Sequence, residues 1–207
     1  MSRGLFLSFE GADGTGKSTQ IRLLQNKLRQ CGYKVLTTRE PGGTRPGEML
    51  RKILKRQKLD ALTETFILEA SRRELINQVI VPALRKGYVI ISDRFEDSTL
   101  VYQGLVKGLP LPILKGLNGL AVQGVKPSRV YLLSSPRLRL GSKSKHDKFD
   151  QESRSFHEKV RKGFLTLARK DKRFLIVDAD QSRQEVHSQL VQDLSQWLPK
   201  LKSGKEK

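Results

Sequence analysis

The sequence has little cysteine, few acidic residues and no long apolar run. Cys31 is the only cysteine, so an intrachain disulfide is excluded, and a lone thiol on a predicted helix indicates packing rather than catalysis. No run approaches the roughly 18 apolar residues that span a bilayer. The apolar segment Leu5–Phe9 near the start is too short for the core of a signal peptide. These absences predict a cytoplasmic protein without a membrane-spanning segment.

Acidic residues are outnumbered by basic ones, 21 against 40, which gives a formal net charge of +19. Such an excess attracts phosphates, carried either by a nucleic acid or by a small polyanionic substrate. The basic residues are spread along the chain, without zinc-ligand spacing, an RNA-stacking aromatic motif or a recognition-helix pattern. We therefore favour a small polyanionic substrate and expect no nucleic-acid partner. A nucleotide-dependent nucleic-acid-binding protein is kept as a third hypothesis.

Apolar segments of strand and helix type alternate along the 207 residues. The predicted strands cover about residues 5–9, 33–38, 88–92, 129–133 and 173–178, and the predicted helices about 18–28, 46–55, 63–85, 112–124 and 151–169. This order predicts one α/β domain over residues 1–198, with a central five-stranded parallel sheet flanked by helices in three layers. Ligands of such sheets bind at the carboxyl ends of the strands. The basic segment 136–150 is predicted to be a mobile lid, and the charged tail 199–207 to lie outside the fold.

A glycine-rich loop joins the first predicted strand to the first predicted helix. It reads Gly11, Ala12, Asp13, Gly14, Thr15, Gly16, Lys17, Ser18. This spacing is that of a P-loop, whose glycines let backbone N–H groups point at phosphate oxygens, so it predicts a P-loop NTPase fold that binds ATP or a similar triphosphate. Lys17 is then expected to balance the charge of the β- and γ-phosphates. Ser18 is the expected Mg²⁺ ligand, together with Asp93, which directly follows an apolar strand.

Three segments in order carry a family resemblance. They read FEGADGTGKSTQ at residues 9–20, TREPGGT at 38–44 and DRFEDSTLVYQG at 93–104. Together they resemble thymidylate kinases, over essentially residues 3–198. The resemblance implies transfer of the γ-phosphoryl group of ATP to dTMP with Mg²⁺, giving dTDP, by an enzyme that forms homodimers. A kinase for another nucleotide or deoxynucleoside on the same fold stays open as an alternative.

The same resemblance assigns residues to the acceptor nucleotide. Asp13 matches the carboxylate that meets the deoxyribose, where an acceptor-only group suits a 3′ hydroxyl. Arg39 and Arg94 match positions near the acceptor phosphate. The remaining residues expected to bind the nucleoside are Leu68, Arg72, Ser98, Thr99, Tyr102 and Gln103. The residues expected to carry catalysis are Lys17, Arg94 and Lys148.

Some positions depart from the family pattern. Gly14 stands where some thymidylate kinases have an arginine in the loop, so the missing charge is expected from the lid residues Arg137, Arg139, Lys143, Lys145 and Lys148. Lys148 replaces the usual lid arginine, which gives up a planar bidentate fork for a point charge. Leu68 stands where a phenylalanine commonly stacks on thymine, and Ser134 where an Asp is common. His157 is expected to have no catalytic role.

Overall fold

The computed structural model describes residues 4–137 and 154–201, with the backbone alone described at Arg154. One sheet is formed by β1 (Leu5–Glu10), β2 (Val35–Arg39), β3 (Val89–Asp93), β4 (Arg129–Ser134) and β5 (Phe174–Asp178). The strand order is β2-β3-β1-β4-β5, and every neighbouring pair is parallel. This confirms the predicted α/β fold with a five-stranded parallel sheet.

Helices connect these strands and cover both faces of the sheet. They are α1 (Lys17–Gln30), α2 (Arg45–Arg56), α3 (Ala61–Leu75), α4 (Val81–Arg85), α5 (Glu96–Thr99), α6 (Leu111–Val122), α7 (Arg154–Ala168) and α8 (Arg183–Leu194). A π-helical segment, Ile76–Ile80, links α3 to α4, and another, Leu100–Val106, continues α5. Within the described residues, none of the helices combines the length and the hydrophobicity that crossing a bilayer requires.

Local sequence signals start several of the helices. Thr44 caps α2, its hydroxyl accepting a hydrogen bond from Gly47 N at 3.0 Å. Asp60 caps α3 in the same way, and Ser182 and Glu185 form a reciprocal capping box at α8. Each cap satisfies backbone N–H groups that the first helical turn leaves without a partner.

The core lies on both faces of the sheet because the central strand β1 is buried on both sides. Successive strand residues point to opposite faces. Leu7 and Phe9 pack with α1 and α8, while Phe6 packs with Leu75 and Phe95 on the other face. The carboxyl ends of β1 and β3 lie side by side, with Phe9 paired to Asp93. The loop after β1 and the motif after β3 therefore meet at one edge of the sheet.

Three features differ from the sequence-based expectations. The helix predicted over 63–85 is interrupted by the π-helical turn Ile76–Ile80. Helix α8 was not predicted, although its capping box and the spacing of Val186, Leu190 and Leu194 are signals for a helix. The segment Pro199–Leu201 forms a 3₁₀ turn whose Leu201 is buried in the core, so the fold extends past the predicted limit at residue 198.

Candidate active site

The P-loop sits between β1 and α1, as its pattern predicts. Gly11 has φ 133°, and a Cβ atom there would lie 2.2 Å from the carbonyl oxygen of Leu133 on the neighbouring strand. Gly16, with φ 87°, enters α1 from the left-handed region that favours glycine. The glycines therefore allow a backbone path that other residues would resist, and this path ends on the N-terminus of α1.

Lys17 is buried within this loop, at 6% exposure. Its Nζ donates hydrogen bonds to the carbonyl oxygens of Gly11 at 3.0 Å and Ala12 at 2.9 Å. Burial, and then repulsion from Arg94, lowers the pKa of the Lys17 amine to about 8. The ammonium is thus placed at the position where a P-loop lysine meets phosphate, in surroundings that favour an incoming negative charge.

Ser18 and Asp93 come together at the start of α1 and the end of β3. The Ser18 hydroxyl donates a hydrogen bond to Asp93 Oδ2 at 3.1 Å. Hydroxyl and carboxylate oxygens are ligands that Mg²⁺ prefers. Among the residues that the structure describes, no group of three His, Cys, Asp or Glu side chains is arranged to hold a metal ion. A cation between Ser18 and Asp93 would therefore need further oxygen ligands, which phosphates provide.

Arg94 reaches from the end of β3 to the P-loop. Its backbone has φ 72°, a left-handed conformation that is uncommon outside glycine and that functional sites often hold. Its guanidinium donates to Gly11 O at 3.0 Å and to Asp13 Oδ1 at 2.7 Å, and it lies 5.2 Å from the ring centre of Tyr102.

The charges of Arg94 and Asp13 stabilise each other. Burial opposes the charge of Arg94, but the attraction of Tyr102 and Asp13 outweighs it and raises the pKa of the guanidinium. Burial likewise opposes the charge of Asp13, yet Arg94 and then Lys17 hold the pKa of its carboxyl below the ordinary value. Both groups therefore remain charged near neutral pH.

Glu10 links the P-loop to the motif after β3, a role that the sequence reasoning missed. It is fully buried, and its carboxylate accepts hydrogen bonds from Phe95 N and from the Ser98 hydroxyl, both at 2.7 Å. Burial first, and then the nearby Asp97, raises the pKa of Glu10 to about 8. Because Glu10 is the last residue of β1 and directly precedes Gly11, the end of β1 leads into the P-loop and also contacts the segment that contains Phe95 and Ser98.

A first cavity, of about 190 Å³, opens on one side of the P-loop. Ala12, Gly14, Thr15 and Gly16 line it from the loop. Of the predicted basic lid residues, Arg137 lines it, whereas Arg139, Lys143, Lys145 and Lys148 lie outside the described residues. Arg161 on α7 and Arg183 on α8 also line it and were not predicted. His157 lines it too, although no role was expected for it.

A second cavity, of about 170 Å³, opens beside Asp13 and Arg94, which both line it. Eight of the nine residues predicted to bind the acceptor line it: Asp13, Leu68, Arg72, Arg94, Ser98, Thr99, Tyr102 and Gln103. Two further basic residues of α2, Arg51 and Lys55, line it as well. They lie one helical turn apart, a spacing that could have indicated a shared face.

Arg39 is the one predicted acceptor residue that does not line this cavity. Its side chain is 55% exposed and pairs with both carboxylate oxygens of Glu48, at 3.1 and 3.0 Å. Glu48 also accepts a hydrogen bond from Gly43 N at 2.9 Å. The guanidinium of Arg39 is thus paired with α2, whereas Arg51 of the same helix lines the cavity. The placement of Arg39 near the acceptor phosphate stays a prediction.

Arg72 lines the second cavity but is almost completely enclosed, at 1% exposure. All three of its guanidinium nitrogens are engaged by protein acceptors. These acceptors are Glu40, Glu69, Asn118 and Thr99, at 2.6–3.0 Å. Although burial opposes the charge, the two carboxylates raise the pKa of Arg72. The arginine predicted to contact the base thus also ties together the segments that form the cavity wall.

Comparisons with known proteins agree with this geometry. A family model described as thymidylate kinase matches residues 9–190. The chain is 39% identical over 207 residues to a thymidylate kinase of Kosmotoga olearia, covering 97% of this chain and 100% of the relative. It is 41% identical over 204 residues to one of Caldanaerobacter subterraneus, covering 95% and 97%. The crystal structure of thymidylate kinase from Ehrlichia chaffeensis superposes with a TM-score of 0.77 at 33% identity, covering 92% of this chain and 98% of that one. This chain belongs to the thymidylate kinase family.

Proposed function

We propose that this chain transfers the γ-phosphoryl group of ATP to dTMP and releases dTDP and ADP. The observation that carries this proposal is that two cavities adjoin the P-loop, the first lined by Ala12 and Gly14 and the second by Asp13. A donor and an acceptor that occupy them would meet at this loop, where Arg94 also lines the second cavity. Catalysis of phosphoryl transfer rests mainly on positioning and on charge stabilisation, and this arrangement provides both.

ATP is assigned to the first cavity, with its phosphates in the P-loop. The backbone N–H groups of the loop and the Lys17 ammonium would hold the β- and γ-phosphates. Ser18 and Asp93 would hold Mg²⁺, completed by phosphate oxygens. When bound there, Mg²⁺ would neutralise charge on the phosphates. The ATP site would therefore be formed by the loop that follows β1 and by the end of the adjacent strand β3.

The charge missing at Gly14 is assigned to arginines that surround the first cavity. Arg137, Arg161 and Arg183 all line it. Arg161 forms two hydrogen bonds of 2.8 Å to the Glu158 carboxylate, a partly exposed pair that the phosphates of ATP could replace. Lys148 remains a predicted contributor from the lid.

dTMP is assigned to the second cavity. Asp13 would accept a hydrogen bond from the 3′ hydroxyl, and Arg94 and Arg51 would hold the phosphate, with Lys55 close by. Leu68 would cover one face of the thymine ring through apolar contact. The remaining contacts to the nucleoside are assigned to Arg72, Ser98, Thr99, Tyr102 and Gln103. The acceptor phosphate would thereby lie at Arg94, beside the P-loop.

A substrate panel tests this assignment. With ATP and Mg²⁺, we expect dTMP to be phosphorylated with a higher kcat/KM than dUMP, UMP, AMP or GMP, and chelation of Mg²⁺ with EDTA to stop turnover. The measurement is a coupled assay of ADP release with each acceptor. A preference for any other monophosphate would contradict the assignment of dTMP and support a kinase for another nucleotide on the same fold.

We also assign a homodimer, through an apolar face that α2, α3 and α6 expose. These helices pack against one another, and their exposed large side chains include Met49, Ile53, Phe66, Ile113 and Leu120. Contiguous exposed apolar residues typically mark protein contacts. The location in the cytoplasm that the sequence predicts remains a prediction.

Light scattering after size exclusion tests the dimer. We expect a mass of twice the 23.5 kDa chain, and a shift to the monomer in Leu120→Asp, because a buried charge opposes association. Ile176 on β5 is exposed elsewhere, so Ile176→Asp serves as the control and should leave the mass unchanged. A wild-type protein that elutes as a monomer at micromolar concentration would refute this assignment.

A further inference from the structure

Gln103 lines the second cavity with a side-chain amide that has only one of its two ends paired. The residue lies in the π-helical segment Leu100–Val106 and is 4% exposed. Its Nε2 donates a hydrogen bond to Glu64 Oε2 at 3.2 Å. Its Oε1 is buried and has no hydrogen-bond partner among the described residues. A buried carbonyl oxygen without a donor is costly, so this oxygen is prepared for a donor that enters the cavity.

The orientation of this amide is set from behind by Glu64. Glu64 lies on α3, is 2% exposed, and forms an ion pair with Lys107, which follows the π-helical segment. An ionised carboxylate only accepts hydrogen bonds. If the amide of Gln103 were flipped, its oxygen would face the Glu64 carboxylate, and two acceptors would oppose each other in a buried setting. Glu64 therefore holds the amide nitrogen towards itself and leaves the oxygen for the cavity.

An acceptor at this point distinguishes pyrimidine bases by the chemistry of N3. Thymine and uracil carry a hydrogen on N3 and can donate it, whereas N3 of cytosine carries no hydrogen and accepts. An amide oxygen pairs with the first two and repels the third. A site built around a hydrogen bond rejects analogues that leave its buried group unpaired.

We propose that Glu64, paired with Lys107, is a positioning residue that fixes the amide of Gln103 and thereby selects bases with an N3–H group over cytosine. This inference rests on the assignment of a pyrimidine monophosphate to the second cavity. Glu64 acts through Gln103 and does not itself contact the substrate. Its effect is on which base is accepted and does not extend to the transfer step.

The test is the variant Glu64→Gln, which keeps the shape of the side chain but can also donate a hydrogen bond. The Gln103 amide then becomes free to take either orientation. We expect the ratio of kcat/KM for dTMP to kcat/KM for dCMP to fall about tenfold, since one buried hydrogen bond is gained or lost. The ratio for dTMP to dUMP should not change, because both bases carry the N3 hydrogen. dCMP is measured as a substrate and also as a competitive inhibitor of dTMP.

Two further variants complete the experiment. Glu74→Gln makes the same change on α3, at a carboxylate that accepts a hydrogen bond from Gln78, and should leave both ratios at wild-type values. Lys107→Met leaves Glu64 in place without its cation and should lower the dTMP-to-dCMP ratio by a smaller factor. If Glu64→Gln does not fold, the dTMP-to-dCMP ratio of Lys107→Met tests the inference in its place.

The possible results separate this inference from the proposed function. A wild-type enzyme that does not prefer dTMP over the purine monophosphates contradicts the proposed function itself. If the wild type prefers dTMP but the folded Glu64 and Lys107 variants keep its dTMP-to-dCMP ratio, the inference about Glu64 is overturned alone. The same holds if Glu64→Gln lowers activity equally with dTMP, dUMP and dCMP, which is the result of a purely structural role.

Discussion

Replacing Lys17 with Ala is expected to lower kcat by about 10³-fold, because removing one preorganised charged donor to a transferring phosphoryl group has effects of this order. The Lys17 amine is buried in the P-loop, and burial and Arg94 lower its pKa to about 8, so an approaching triphosphate would stabilise the ammonium form. KM for dTMP should change little, since Lys17 does not line the acceptor cavity. Steady-state kinetics with both substrates varied measure the two effects separately.

The fold should survive this substitution. Among the residues that the structure describes, the Lys17 amine bonds two carbonyl oxygens of its own loop and has a distant contact to Asp13 at 3.9 Å. Circular dichroism and thermal unfolding should therefore resemble those of the wild type. Arg22→Ala, at an exposed cation on the same helix, is the matched control and should retain full activity. Near-normal turnover in Lys17→Ala would show that the loop does not hold ATP as assigned.

Replacing Arg94 with Lys should lower kcat/KM by about 10²-fold, although the charge is kept. The planar fork of Arg94 contacts Gly11 O and Asp13 at once and stacks beside Tyr102, and a single ammonium cannot reproduce these contacts. Lysine has the same backbone preferences at φ 72°, so the comparison isolates the head group. We expect kcat and KM for dTMP both to change, because Arg94 lines the acceptor cavity and also contacts the P-loop.

A conservative control belongs with this variant. Arg85→Lys makes the same exchange at an exposed position at the end of α4 and should leave the kinetics unchanged. An Arg94→Lys enzyme with wild-type kcat/KM would mean that positive charge alone suffices at this position. The role assigned to the guanidinium geometry would then be wrong.

The outline of the fold was readable in the sequence because its signals are local. Each strand is a short apolar run, and the fully buried β1 and β3 carry the most continuous ones. The connection of strand, glycine-rich loop and helix also predicted where ligands lie, since parallel strands end at one edge. Ser18 and Asp93 were accordingly expected to meet, although 75 residues separate them.

Contacts between segments that are distant in the sequence could not be predicted from such local signals. The resemblance placed Arg39 at the acceptor phosphate, whereas in the structure Arg39 pairs with Glu48, and the basic residues of α2 that line the cavity are Arg51 and Lys55. Arg183 reaches the donor cavity because Gln20 on α1 donates a hydrogen bond to its carbonyl oxygen and brings α8 close. Neither result depends on local spacing.

The sequence by itself determined the parts of the site whose residues are consecutive. The phosphate-binding loop is one example, because its backbone path depends on glycines at fixed positions and its lysine is attached to the same loop. Only the tertiary structure decided which cations line the two cavities, and that Glu64 lies beside the amide of Gln103, 39 residues further along the chain. Such choices depend on burial and on competition between partners from distant segments, which the order of residues within a motif does not specify.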